Sequence, residues 1–138
     1  MMDFDLINQA MAQPLQSAGI SLGSVALPMV WAGQSADPER PFIFYQRIVS
    51  LRRDRTLDNT GQIEEGYLSI SVVDEFGKFG VRSEQLAGEI AALYPRGSVL
   101  PFAGGVITLF EWPVLVQAYR DGPDWRQPMR VNYVAEET

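Results

Sequence analysis

The N-terminal segment carries the amphipathic pattern of a helix. Apolar residues recur every three or four positions from Asp3 to Ala18, which draws a stripe down one helical face. The stripe consists of Phe4, Ile7, Met11, Leu15 and Ala18. Asp3 or Asp5 can cap the start, and Gly19 supplies a stop. Pro14 lies inside the stripe and removes one backbone hydrogen bond, so we expect a kink or a break there.

Alternating apolar and polar positions predict strands in the middle of the chain. Val25–Trp31 is a short apolar run containing Pro28, which restricts it to a sheet edge or forces a bulge, and we expect an edge strand. Phe42–Leu51 is rich in aromatic and β-branched residues, and Tyr67–Val73 alternates strictly. We expect these last two strands to pair as a long hairpin.

A second helix and several short strands follow. Phe79–Tyr94 has apolar residues at helical spacing and ends at Pro95. The predicted later strands are Ser98–Phe102 and Val106–Trp112 around Gly104-Gly105, then Val114–Tyr119 and Trp125–Val134, before a polar tail at Ala135–Thr138. The 138 residues have room for one core, so residues 1–138 are predicted to form a single domain. The fold class is α+β, with a mixed, mainly antiparallel β-sheet and two helices packed on one face.

The order of elements in the second half resembles a known family. The segments that carry the likeness are Asp58-Asn59-Thr60-Gly61, Tyr67–Val73, the helix end Leu93-Tyr94-Pro95-Arg96-Gly97, Gly104–Thr108 and Asp124–Tyr133. In this layout the chain resembles the phage tail terminator-like proteins, which include phage-related domains of unknown function and minor tail protein U-like chains. The Pro95-Arg96-Gly97 corner matches well, because the family helix commonly closes on an aromatic followed by proline and glycine, and Tyr94 occupies the aromatic position.

The resemblance implies a structural role in a phage or prophage tail. Tail terminators form hexameric rings that cap the tail tube, end its polymerisation and offer a surface for head–tail joining. The implied partners are further copies of the chain, the major tail tube protein and the head–tail connector protein. The implied location is the virion tail, with assembly in the host bacterial cytoplasm. A neck or tail-completion protein of a closely related fold is an open alternative.

The amino-acid composition limits the catalytic mechanisms and metal ligands that are available to the chain. The chain has no histidine and no cysteine, which excludes Ser-His-Asp and Cys-His catalysis and thiolate metal ligands. We therefore predict no enzyme, no cofactor and no metal site. A small cytoplasmic ligand-binding or enzyme domain that uses carboxylates stays as the alternative from another class, and it predicts a concave apolar pocket with convergent polar groups. The pairs Glu64-Glu65 and Asp74-Glu75 are the available carboxylates, and we interpret them as solvated strand ends.

The net charge limits the kinds of partner that the protein can bind. The net charge of −6 argues against a nucleic-acid clamp, because neutralising phosphates requires a basic face. If the protein lines a tail channel, the same charge would repel passing DNA, although moderate negative charge also simply keeps a small protein in solution. No stretch approaches the roughly 20 apolar residues of a membrane helix, and the acidic N-terminus is unlike a secretory signal.

Two groups of residues are the candidate partner interface. Arg52, Arg53 and Arg55, with Asp58, lie at the predicted hairpin tip and could dock an acidic partner surface. The alternative is a solvated tip whose arginines pair with Asp54 and Asp58. Trp31 and Trp125 lie near strand ends, where an aromatic side chain covers a core edge or contacts another subunit.

Overall fold

The fold is known from a computed structural model that describes residues 3–22, 25–54, 61–77 and 81–137. Helix α1 runs unbroken from Phe4 to Ala18. Asp3 caps its start by accepting a hydrogen bond from the Asp5 amide at 2.8 Å, and Gly19 ends it with a left-handed backbone. The expected division into two pieces at Pro14 is wrong, because packing of the apolar stripe against the core holds the helix together across the missing bond.

The first strands are shorter than the sequence predicts. β1 (Ser21–Leu22) and β2 (Val25–Ala26) form a small antiparallel ladder. β3 (Met29–Trp31) pairs parallel with the start of the next strand and occupies a sheet edge. The edge position predicted from Pro28 is thus confirmed, but Leu27 and Pro28 divide the run into two strands in different sheets.

The predicted long hairpin is present and is longer than expected. β4 (Phe42–Asp54) pairs antiparallel with β5 (Gln62–Glu75). The ladder takes in positions 52–54 and 62–65, which the sequence pattern assigned to an irregular tip. A β-bulge between Val49 and Leu51 shifts the pairing by one residue. After the bulge, Arg52 lies opposite Glu64.

The second helix and the last strands complete the sheet. α2 spans Val81–Ala91, and the expected start at Phe79 falls outside the described residues. The remaining strands are β6 (Val99–Phe102), β7 (Gly105–Thr108), β8 (Val114–Leu115), β9 (Tyr119–Asp121) and β10 (Asp124–Glu137). The predicted strand Val114–Tyr119 is in fact two short pieces, β8 and β9. The predicted polar tail is also wrong, because β10 continues to Glu137. Ala135 is fully buried there and pairs with both β5 and β7.

The sheet has the order β3-β4-β5-β10-β7-β6, with β8 and β9 also pairing to β10. All pairings are antiparallel except β3 with β4. One buried cluster joins residues of both helices to one side of the sheet. It includes Ile7, Met11 and Leu15 from α1, Leu86 and Ile90 from α2, and Ile43, Tyr45, Leu68, Ile70, Met129, Val131 and Tyr133 from the strands. The predicted α+β arrangement, with both helices on one face of a mainly antiparallel sheet, is therefore confirmed.

Candidate subunit interface

A buried carboxylate anchors the end of the hairpin nearest the predicted docking tip. Glu64 on β5 has 0% exposure and accepts hydrogen bonds from Arg47 Nη1 at 2.5 Å and from the Tyr133 hydroxyl at 2.6 Å. Arg52 Nε donates to its other oxygen at 3.1 Å. A carboxylate loses much hydration free energy on burial, and two guanidinium partners offset that cost. The interpretation of Glu64 as a solvated strand end is wrong.

The N-terminus of α1 covers this ion cluster. The Arg52 guanidinium lies 3.7 Å from the centroid of the Phe4 ring, within cation–π range. Arg47 Nη2 donates a hydrogen bond to the Phe4 carbonyl at 3.3 Å. Phe4, Arg47, Arg52, Glu64 and Tyr133, here called the Glu64 cluster, therefore form one unit that joins α1 to the edge of the sheet.

The predicted docking residues separate into three cases. Arg52 faces inward, pairs with Glu64 and stacks on Phe4, so its charge is used within the subunit. Arg53 is exposed and has no ion pair within residues 3–22, 25–54, 61–77 and 81–137. Arg55 and Asp58 lie outside the described residues. Within the described residues, the candidate site at the tip thus consists of Arg53 and the unpaired edge of β4 that leads to it.

The two candidate tryptophans lie at different places. The Trp31 ring packs edge-on against Tyr45, with centroids 4.4 Å apart, at the end of β3. Trp125 is half-buried at the start of β10 and lies beside Phe76, with centroids 6.3 Å apart. Trp31 borders the open edge of β4, whereas Trp125 belongs to the opposite end of the strands, where Asp124 pairs with Glu75.

Beyond Trp31, the outer edge of β4 has no strand partner within the described residues. β3 pairs only with residues 43–45 of β4, and the Ala32 amide adds one bond to the Tyr45 carbonyl. The outer backbone groups from Gln46 to Asp54 are therefore available to another chain. Val49 and Leu51, which are 39% and 45% exposed, lie on this open edge. An uncovered edge of this length is a template for strand pairing between subunits.

The second uncovered surface is a segment that the sequence pattern assigns to two ordinary strands. Residues 110–119, here called the apolar ribbon, follow β10 on the side away from β5. The exposed apolar residues are Phe110, Trp112, Val114, Leu115, Val116 and Tyr119, of which Trp112 is 59% exposed. Both residues of β8 are exposed, although neighbouring strand residues normally point to opposite faces of a sheet. Six exposed apolar side chains within ten residues are the pattern expected of a surface that contacts a partner.

The sequence signal for the ribbon was its composition combined with Pro113. The sequence pattern assigns the run Leu109-Phe110-Glu111-Trp112-Pro113-Val114-Leu115-Val116 to two strands, which Pro113 separates. Pro113 lacks an amide donor, so this run cannot form a full ladder with β10. The strand-like composition without a full ladder was therefore the available clue to an exposed segment.

A small cavity borders the open edge of β4. Its volume is about 280 Å³, which lies below the range of roughly 300–1,000 Å³ of small-molecule sites. It is lined by Phe4, Asp5, Asn8, Trp31, Ala32, Tyr45, Gln46 and Arg47. A space of this size can hold one large side chain. Within the described residues, no three Asp, Glu, His or Cys side chains cluster as metal ligands would.

Two further ion pairs lie together at the end of β5 and β10 that is farthest from the hairpin tip. Arg82 holds the buried carboxylate of Asp74 with two hydrogen bonds of 2.7 and 2.5 Å, which attaches the start of α2 to β5. Asp74 is therefore also buried, contrary to its interpretation as a solvated strand end. Arg40 binds Asp124 in the same bidentate way at 3.0 and 3.1 Å. Hydrogen bonding to the carboxylates raises the pKa of both Arg82 and Arg40, because it stabilises their charged forms.

Comparison with known protein families shows to which family this chain belongs. The family model described as phage tail terminator protein matches residues 6–133. The chain belongs to the phage tail terminator family. The matched range contains Glu64 with its partners Arg47, Arg52 and Tyr133, the open edge of β4 and the apolar ribbon, whereas Phe4 lies outside it. Membership makes the protein a structural component of phage tails that contacts other tail components.

The fold is also found among solved structures. One solved chain shares 21% sequence identity and superposes with a TM-score of 0.80, over 98% of this chain and 96% of its own length. At this identity the likeness shows the fold alone. No curated protein matches the sequence. None of the helices in the described part of the chain has the length and apolar character needed to cross a membrane.

Proposed function

We propose that the protein caps the phage tail tube as a ring, ends its polymerisation and provides the surface for head–tail joining. The chain acts as one domain in this role and uses no cofactor. Its partners are further copies of itself, the major tail tube protein and the head–tail connector protein. It works in the virion tail after assembly in the host bacterial cytoplasm.

The apolar ribbon is the observation that carries this proposal. An isolated small protein gains nothing from exposing Phe110, Trp112 and Tyr119 together, whereas a subunit can bury them against a neighbour. The open edge of β4 lies on the opposite side of the same sheet. Two different uncovered surfaces on opposite sides of a subunit are what a head-to-tail contact requires, and such contacts close into rings when the rotation per subunit is right.

The Glu64 cluster has a supporting part in this function. It fixes α1, β4, β5 and β10 to one another next to the open edge. A ring of defined size needs a rigid edge, because variation in edge direction would accumulate around the ring. We assign Arg52 to this supporting part, and Arg53 and Trp31 to direct contact with a partner.

Mixing the purified protein with tail tubes tests the proposal. Tubes assembled from the major tail tube protein of the same phage would be incubated with the protein and imaged by electron microscopy, while light scattering follows the mass of the protein alone. We expect a ring at one end of each tube. Protein that stays monomeric and leaves both tube ends bare would contradict the proposal.

A further inference from the structure

We propose that Trp112 of one copy inserts into the cavity beside the open edge of β4 in the next copy. The inference rests on the proposed ring function and names the contact between its subunits. The contact is head-to-tail, because the side chain and the cavity lie on opposite edges of one sheet.

The cavity has the chemistry that an indole ring requires. Trp31 and Tyr45 present aromatic surface against which an entering ring can pack. An indole also carries one N–H donor. The Asp5 carboxylate and the Gln46 side-chain carbonyl both line the cavity and can accept its hydrogen bond.

Trp112 is presented as an anchor for such a site. Its side chain is 59% exposed, and Phe110 beside it is 58% exposed. Pro113 follows directly and restricts the backbone, which lowers the conformational entropy lost when the ring is held by a partner. A tryptophan in a partner's pocket is the commonest form of interface hot spot, together with tyrosine and arginine.

Strand register places the two features at the same height on the sheet. Ile48 on β4 lies opposite Tyr67 on β5, and Tyr67 lies opposite Asn132 on β10. The Asn132 amide contacts the carboxylate of Glu111, the residue before Trp112, at 3.5 Å. Ribbon and open edge therefore lie on one cross-strand row. Successive copies can be placed side by side without a large shift along the strands, and such contacts close into a ring when the rotation per subunit is right.

A second copy of the chain is the occupant that the structure favours. Each subunit carries both the inserting ring and the receiving cavity, so every copy in a ring covers the exposed apolar surface of the next. Glu111 also brings negative charge toward the β4 edge that continues to exposed Arg53. A different tail protein would leave one of the two surfaces of each subunit uncovered.

Three substitutions test the contact by its effect on self-association. Trp112→Ala removes the anchor, and Ala32→Trp fills the cavity from within. Ala36→Trp makes the same change at an exposed loop position that does not line the cavity, so it is the matched control. Sedimentation and light scattering would give the concentration of half-assembly. We expect Trp112→Ala and Ala32→Trp to raise it by about 30-fold, as for a hot spot, and Ala36→Trp to leave it unchanged. Equal values for all three variants and wild type would overturn the proposal.

Cross-linking tests the arrangement independently. The chain has no cysteine, so Gln46→Cys with Glu111→Cys introduces the only thiols. Oxidation with tail tubes present should give a covalent ladder that ends at the closed ring. The pair Gln46→Cys with Glu89→Cys, the latter on exposed α2 surface, is the control and should give none. A ladder that stops at a dimer, or no cross-link, would overturn the head-to-tail contact.

The two proposals fail in different ways. If wild type caps tubes, but Trp112→Ala caps them equally and no cross-link forms, the tryptophan contact is wrong and ring capping stands. If the ladder forms but tubes grow on uncapped, the subunit contact stands and termination is wrong.

Discussion

Tyr133 donates a hydrogen bond of 2.6 Å to the fully buried carboxylate of Glu64. The bond joins β10 to β5 under the N-terminus of α1. It is possible because Gly66, opposite Tyr133 in the ladder, has no side chain: a Cβ there would lie 3.0 Å from the Tyr133 hydroxyl and 2.3 Å from the Ile48 carbonyl oxygen. Three strands thus converge on one anion.

Replacing Glu64 with glutamine should destabilise the protein strongly. Glu64→Gln keeps the size of the side chain but leaves Arg47 and Arg52 without their counter-ion in a largely buried site. We expect a loss of about 3 kcal/mol in the free energy of unfolding, measured by urea denaturation. Glu75→Gln removes the same charge from an exposed position on β5 and should cost less than about 0.5 kcal/mol. Equal losses in both variants would show that the buried cluster contributes nothing specific.

The same substitution at two glycines should have opposite effects. Gly66→Ala forces a Cβ against the Ile48 carbonyl, and we expect a loss of about 2 kcal/mol or more in the free energy of unfolding. Gly88→Ala lies on exposed α2 surface with no atom within 4 Å of its Cβ, and should gain about 0.5–1 kcal/mol through helix propensity. Thermal and urea unfolding measure both. A neutral Gly66→Ala would show that β4 and Tyr133 can move away freely.

Stability should fall at alkaline pH. Burial raises the pKa of Tyr45, Tyr94 and Tyr133 above their ordinary value, because the charged phenolate is poorly solvated in the core. The unfolded chain titrates its tyrosines near pH 10, whereas the folded chain keeps these protonated. The stability they contribute is therefore complete below about pH 10 and is lost as the pH rises through their folded pKa values.

Tyr94→Phe tests the alkaline effect at one site. The Tyr94 hydroxyl is buried and donates to the Met11 carbonyl at 2.7 Å, so its removal should cost about 1 kcal/mol at pH 8. Above pH 10, the variant should lose stability less steeply than wild type, by up to about 1.4 kcal/mol per pH unit. Tyr119→Phe removes a hydroxyl from an exposed site and is the control. Identical slopes for Tyr94→Phe and wild type would contradict the assignment.

The periodic parts of the fold were predictable from the sequence. The apolar stripe ending at Ala18 predicted helix α1 in its observed place. The alternation in Tyr67–Val73 predicted a central strand, and the proline in Val25–Trp31 predicted an edge strand, both where the structure has them. The β-bulge was not predictable, because no glycine or proline marks Ser50. Simple alternation puts Arg47 and Arg52 on opposite faces, whereas the bulge turns both toward Glu64.

The candidate site was likewise predictable from the sequence only in part. An arginine-rich tip is visible in composition, but which arginine is free depends on that bulge and on the position of Phe4, more than 40 residues away in sequence. The exposure of the whole ribbon was not predictable, because apolar, β-branched residues indicate a strand regardless of whether anything covers it. Only the three-dimensional arrangement shows that Val114 and Leu115 are both exposed.

Tube length measures the central claim most directly. The major tail tube protein would be polymerised with increasing amounts of this protein present from the start, and lengths would be scored by electron microscopy. We expect mean length to fall as the protein is added, with a ring at the terminated end, and Trp112→Ala to leave tubes long. Lengths that are independent of the added protein, under conditions where it is folded and in excess of tube ends, would contradict termination.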